Sequence, residues 1–173
     1  MRISRYVVIN AIAFQTGWFV CVLLGTWAGV AYTLVAAVLH FRFAPFHRLD
    51  WLSICIALPL GVAHDNLLAY AGVLDYSAET STGLAPFWLT CLWVLLALTF
   101  NHSLRWFYQR PWVLALMSLF GGPMAYFGGV TLSDVQWVIS PIHGFLILMA
   151  IWVWLLPLHR FLVIQGDKLC SLD

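Results

Sequence analysis

All eight basic residues of this chain fall at alternate ends of its long apolar windows, and that segregation restricts the fold more than any short motif does. The windows run about Tyr6–Leu24, Trp27–Phe43, Trp51–Leu74, Pro86–Trp106, Trp112–Val130 and Gln136–Leu158. Crossing a bilayer core takes roughly 20 predominantly apolar residues in a helix. Lipid cannot satisfy exposed backbone polar groups, so each window is predicted to be helical. Arg2 and Arg5 precede the first window, Arg42 and Arg48 separate the second from the third, Arg105 and Arg110 the fourth from the fifth, and Arg160 and Lys168 follow the sixth. The opposite connections, Gly25-Thr26, Asp75–Ala85 and Thr131–Val135, carry Asp75, Glu79 and Asp134 and neither Lys nor Arg. By the positive-inside rule both termini are cytoplasmic. The expected fold is therefore all-α: a polytopic membrane protein of six transmembrane helices, N-in and C-in, forming one integral membrane domain over residues 1–173.

Composition agrees with that reading. The chain is 63% hydrophobic and 9% charged with a mean hydropathy of +0.92, where soluble domains run near 45–50% apolar and about 25% charged. A net charge of +1 supplies no basic patch, so no nucleic-acid partner is expected. Cys21, Cys55 and Cys91 lie singly in apolar windows without CxxC or CxxH spacing and read as small core residues, with Cys170 as a free thiol. The first window follows Arg2 and Arg5 without a small-residue cleavage site, which makes it a first span and not a removable signal. No nucleophile elbow, phosphate-binding loop, haem or iron–sulfur pattern occurs.

Two features go beyond hydrophobicity. In Gly121-Gly122-Pro123 small residues allow close helix contact, and a proline in mid-span invites either a packing kink or a break that lines a cavity. The descending helices share an ending, His40-Phe41-Arg42-Phe43, His102-Ser103-Leu104-Arg105-Trp106 and His159-Arg160-Phe161. Three hairpins of similar plan would produce it, and so would plain interfacial anchoring.

The most polar point inside a window is His64-Asp65-Asn66. An ionisable residue within a membrane segment is a functional hypothesis by default, because several kcal/mol oppose its placement there. One turn from Asp65 stand Gly61 and Ala69, with Gly72 two turns on, so the carboxylate is predicted to face a neighbouring helix at short range. His143 and Tyr126 lie at a comparable depth, and a second polar layer toward the cytoplasm holds Asn10, His40, Asn101, His102 and Arg105, with Gln15 between. His64, Asp65 and His143 are the expected catalytic group, with the carboxylate fixing a histidine tautomer for general base work. Asn10, Gln15, Asn66, Trp88, Asn101, His102 and Tyr126 are the expected substrate-binding residues. Two histidines and Asp65 also suit a divalent metal, yet no HExxH or clustered HxxxH spacing is present, and no metal is expected.

Asn10 with Phe14-Gln15 and Trp18, Gly61 with Asp65, APFWLTCLW at 85–93, NHSLRW at 101–106 and GGPMAYFGG at 121–129 together resemble a family of small six-helix bacterial inner-membrane proteins classed as a domain of unknown function. The resemblance covers nearly the whole chain. It implies an inner-membrane location and, because such proteins lie beside fatty-acid-modifying enzymes, a link to membrane lipids; it brings no catalytic residue and no cofactor. The expected function is membrane lipid modification or envelope maintenance at a polar intramembrane site, with membrane lipids and a cytoplasmic or membrane-associated lipid-modifying enzyme as partners. The open alternatives are a small proton-coupled transporter and a non-catalytic scaffold for a soluble enzyme.

Overall fold

The computed structural model describes residues 5–44 and 47–171. Arg2, part of the orientation argument, lies outside them. Among the described residues there are six helices: α1 (Arg5–Phe43), α2 (His47–Tyr70), α3 (Phe87–Ala97), α4 (Arg105–Tyr108), α5 (Pro111–Leu132) and α6 (Pro141–Cys170). Four of them, α1, α2, α5 and α6, are long and apolar enough to cross a membrane.

Helix α1 folds back on itself at Gly25, whose φ of 73° and ψ of −163° fall in a region open essentially only to glycine. Residues 5–24 and 26–43 then lie side by side as two arms. The Tyr32 hydroxyl donates to the Ala13 carbonyl at 2.7 Å, and the Tyr6 hydroxyl is 2.9 Å from His40 Nδ1. The expected hairpin of the first two windows is thus present, closed by a single residue.

The fourth window departs from expectation. Instead of one helix over 86–106, α3 stops at Ala97, and turns over 98–104 lead into the short α4. Thr99 turns its hydroxyl back onto the Leu96 carbonyl at 2.5 Å, a local bond that competes with the helix ladder. The carbonyls of Ala97 and Leu98 take side-chain donors from other helices, Ser53 Oγ at 3.3 Å and Asn10 Nδ2 at 3.1 Å. Helix α5, by contrast, continues through Gly121-Gly122-Pro123.

At one end of the bundle β1 (Leu74–Asp75) pairs antiparallel with β2 (Gln136–Trp137), Leu74 opposite Trp137. This ribbon takes Gln136 and Trp137 out of the sixth window. Helix α6 starts instead at Ser140-Pro141, where Ser140 accepts from the His143 backbone N–H and proline fills a first-turn position whose donor needs no partner.

Helix α3 is the centre. Trp88, Leu89, Cys91, Trp93, Leu95 and Ala97 are buried, with α1 packed on one side and α2 on another, while α5 pairs chiefly with α6 and α2 also meets α6. Helices α1 and α5 touch only sparsely. Trp27, Trp112 and Trp154 expose 86%, 72% and 74% of their surface, whereas Asp50 and Asp65 expose 0% and 1%. Large apolar side chains outside and carboxylates inside suit an apolar surrounding, and the four long helices are compatible with a multi-pass membrane protein.

Candidate functional site

Asp65 is held from three sides. Its Oδ2 accepts from the Trp93 indole N–H of α3 at 2.8 Å, and its Oδ1 takes the Tyr126 hydroxyl of α5 together with His64 Nδ1 at 3.0 Å. The notch that admits Trp93 is Gly61: a Cβ there would stand 2.2 Å from the indole ring. Trp93 stacks on Trp152 of α6, centroids 5.4 Å apart and 13° from parallel, and Trp152 in turn occupies the surface left bare by Gly122 of α5, where a Cβ would be 2.0 Å away. Two glycines on two helices therefore clamp two stacked indoles, and the clamp sets the height at which Trp93 meets the carboxylate.

Around this group three buried polar atoms have no hydrogen-bond partner, His64 Nε2, Trp152 Nε1 and the Tyr76 hydroxyl. Buried polar groups are paired in the great majority of cases, so three orphans in one region call for an explanation. A carboxylate accepts and does not donate, so Nδ1 is the protonated nitrogen of His64 and Nε2 is left with its lone pair. Burial pushes the Tyr76 hydroxyl well above the usual phenol range, and the charge of Asp65 adds to it.

An apolar groove runs between α1 and α5, where those helices barely meet. Its largest part, about 560 Å³, is walled by Phe14, Gln15 and Trp18 of α1, Gly121 and Ala125 of α5 and Trp152 of α6. Two smaller hollows of about 70 and 50 Å³ share Trp18 and Ala125 with it and add Tyr126, the second reaching Trp88 and Tyr76 near the ribbon. Tyr126 is thus in the groove wall while its hydroxyl is on Asp65. Neither His64 nor Asp65 lines the groove itself.

A second buried carboxylate, Asp50, lies 15 residues earlier on α2, about 22 Å away along a helix rising 1.5 Å per residue. Its Oδ2 meets His40 Nε2 at 2.8 Å and His102 Nε2 at 2.9 Å, and its Oδ1 accepts from Asn101 Nδ2 at 2.9 Å. Among the described residues these are the ones able to hold a metal: one ligand atom each from His40, Asp50 and His102 lies within 4.8 Å of the others.

Residues 7–158 match the family described as protein of unknown function DUF2878. The chain belongs to that family. No curated protein and no solved structure matches it.

In this DUF2878 chain the sequence-selected residues separate into distinct places. His64, Asp65 and Tyr126 come together as described. His143 does not join them: it is exposed in the first turn of α6, its Nδ1 2.5 Å from Ser140 Oγ. Asn66 ties a loop to α2, accepting from Ala85 N–H at 3.1 Å and donating to the Val62 carbonyl at 2.8 Å. Trp88 is buried, its indole 3.3 Å from Glu79 Oε2. Gln15 lines the groove. Asn10 holds the broken segment after α3, donating to the Leu98 carbonyl and accepting from Ser103 N–H at 3.2 Å and Ser103 Oγ at 2.6 Å. Asn101 and His102 sit on Asp50, a residue that sequence reasoning passed over, together with the donor Trp93 beside Asp65 and Trp152 stacked on that indole. The signal for Asp50 was slight: an acid two residues after Arg48, at the head of a window.

Proposed function

We propose that this DUF2878 protein crosses the bacterial inner membrane six times, both termini cytoplasmic, and binds a membrane lipid in the α1/α5 groove in order to modify it. The crossings would be the two arms of α1, then α2, α3 with α4, α5 and α6. One observation carries the functional half: Tyr126 belongs both to the groove wall and to the hydrogen-bond group of Asp65 and His64. An acyl or isoprenoid chain fits the apolar walls, and its polar end would meet the Tyr126 hydroxyl. Asp65 behind that hydroxyl accepts or returns its proton, and His64, donating from Nδ1 to the same carboxylate, holds it in place, the arrangement of a general acid–base group positioned by a second partner. Trp93 and Trp152 keep water from it.

The test is a comparison in the native host of a clean deletion complemented with wild type, Tyr126→Phe and His64→Gln, each shown to be inserted at normal level. Lipid mass profiles altered by the deletion, restored by wild type and not restored by either variant are the expected result. Full restoration by both variants overturns the reading. A small proton-coupled carrier is the second reading, supported by two fully buried carboxylates, Asp50 and Asp65, on the one helix α2. It is expected to show pH-dependent flux in proteoliposomes that Asp65→Asn abolishes. Docking of a soluble lipid-modifying enzyme, the scaffold reading, would instead leave function intact in every intramembrane variant that folds.

A further inference from the structure

We infer that His40, Asp50 and His102 form a binding site for one divalent first-row transition-metal ion, separate from the Asp65 group and independent of the lipid reading. Two imidazoles and one carboxylate, with no thiolate near, are the donor set of zinc, iron, manganese or cobalt sites that keep coordination positions open. The three ligands arrive from separate segments: the end of α1, the head of α2 and the broken stretch after α3. All three side chains are buried, and both imidazole Nε2 atoms converge on the same oxygen, Asp50 Oδ2.

The surroundings are those of a supported metal site. Ligating histidines are normally fixed through the other ring nitrogen and ligating carboxylates through the other oxygen. Here Tyr6 stands 2.9 Å from His40 Nδ1, and Asn101 donates to Asp50 Oδ1 at 2.9 Å. The break after Ala97 is what brings His102 to Asp50, and it is itself maintained by Asn10 and Ser53. His40 and Tyr6 also border a cavity of about 170 Å³ between the arms of α1 and α3.

The change on binding balances. Without metal, His40 and His102 each donate from Nε2 to Asp50 Oδ2, and His40 accepts from Tyr6 at Nδ1. With metal, each ring carries its proton on Nδ1 instead, the Tyr6 hydroxyl turns its own hydrogen away and accepts from His40 Nδ1, and the Nε2 lone pairs of both histidines are free for the ion. Ligand atoms around a tetrahedral ion bound at about 2.0–2.1 Å stand about 3.3 Å apart. The Nε2 atoms now lie 2.8 and 2.9 Å from Asp50 Oδ2, so the group opens by roughly half an ångström, within reach of side-chain rotation.

The experiment uses the full chain in detergent, stripped with chelator and titrated with Co²⁺ and Zn²⁺. Saturable binding of one equivalent is expected, with visible Co²⁺ ligand-field bands. Asp50→Asn and His102→Gln are each expected to weaken binding at least 100-fold at unchanged helical circular dichroism. Tyr6→Phe, which retains every ligand, is expected to weaken it 10-fold or more. X-ray absorption of the zinc-loaded wild type, which requires no variant to fold, is expected to show two imidazole ligands. No stoichiometric binding by the folded wild type, an absorption spectrum without imidazole scattering, or equal binding by a folded His102→Gln protein each overturns the inference and leaves a hydrogen-bond network only.

Discussion

Trp93 donates its indole N–H to Asp65 Oδ2 at 2.8 Å, joining α3 to α2 through a carboxylate that is 1% exposed. Hydrogen bonds to a charged group contribute roughly 1.5–3 kcal/mol, and the loss of a donor leaves a buried acceptor short of a partner. Trp93→Phe keeps an aromatic ring against Trp152 while removing that donor and part of the buried ring volume. It is expected to lower stability by about 1.5–3 kcal/mol. Combined with Asp65→Asn, the double variant should lose less than the sum of the two singles, because the same bond is broken twice. Thermal or chemical unfolding of the four proteins in one detergent measures this.

The glycines on either side of the paired indoles give a sharper contrast. A Cβ on Gly122 would lie 2.0 Å from Trp152 and one on Gly61 2.2 Å from Trp93, while Gly121 has nothing within 4 Å. Overpacking a close-fitted core typically costs about 1–3 kcal/mol. Gly61→Ala and Gly122→Ala are expected to lower the unfolding temperature, and Gly121→Ala, one residue away, to leave it unchanged or raise it slightly through better helix propensity. Equal behaviour of Gly121→Ala and Gly122→Ala would show that Trp152 does not occupy the Gly122 notch.

That contrast shows where the sequence was readable. Asp65 with Gly61 one turn away implied a close helix neighbour, and the neighbour is Trp93. Nothing local identified Trp93, since tryptophan on an apolar helix reads equally well as a lipid-facing anchor. Asp50 was harder, because an acid just after Arg48 resembles any interfacial charge, and its partners His40, Asn101 and His102 come from separate stretches. Depth along a helix placed His143 level with Asp65 only for a helix beginning at Gln136. The Ser140-Pro141 cap moves that beginning, and the ring ends in an exposed first turn. The break after Ala97 left no mark, as no glycine or proline occurs between Phe87 and Arg110. Its cause is long-range: Asn10 and Ser53 supply the donors that the backbone there gives up.

Asn10 is accordingly the side chain on which the broken segment depends. It donates to the Leu98 carbonyl at 3.1 Å and accepts two bonds from Ser103. Asn10→Leu keeps the branched outline of the side chain and removes all three. Each buried group left unpaired costs about 1–3 kcal/mol, so this variant is expected to be far more damaging than Ser53→Ala, which removes one bond of 3.3 Å. Because His102 lies in the same segment, Asn10→Leu is also expected to increase hydrogen exchange of amides 98–104. Unchanged exchange there would show that the segment holds its shape without Asn10.

Gly25 tests the fold-back of α1 by backbone conformation alone. No heavy atom lies within 4 Å of the place where its Cβ would be, so a small side chain meets no steric conflict with its neighbours. What opposes substitution is the conformation, φ 73° with ψ −163°. This is not the left-handed helical region that asparagine tolerates, but the neighbouring one essentially confined to glycine, with a cost of order 1–3 kcal/mol for other residues. Gly25→Asn is therefore expected to destabilise as much as Gly25→Ala, whereas at an ordinary left-handed turn asparagine would recover much of the loss. Measured against Gly121→Ala as a neutral reference, comparable losses for the two variants support a glycine-only hinge. A clear advantage for asparagine would mean that the arms of α1 are joined through a different backbone geometry, one in which Tyr6 and His40 are brought together by another turn.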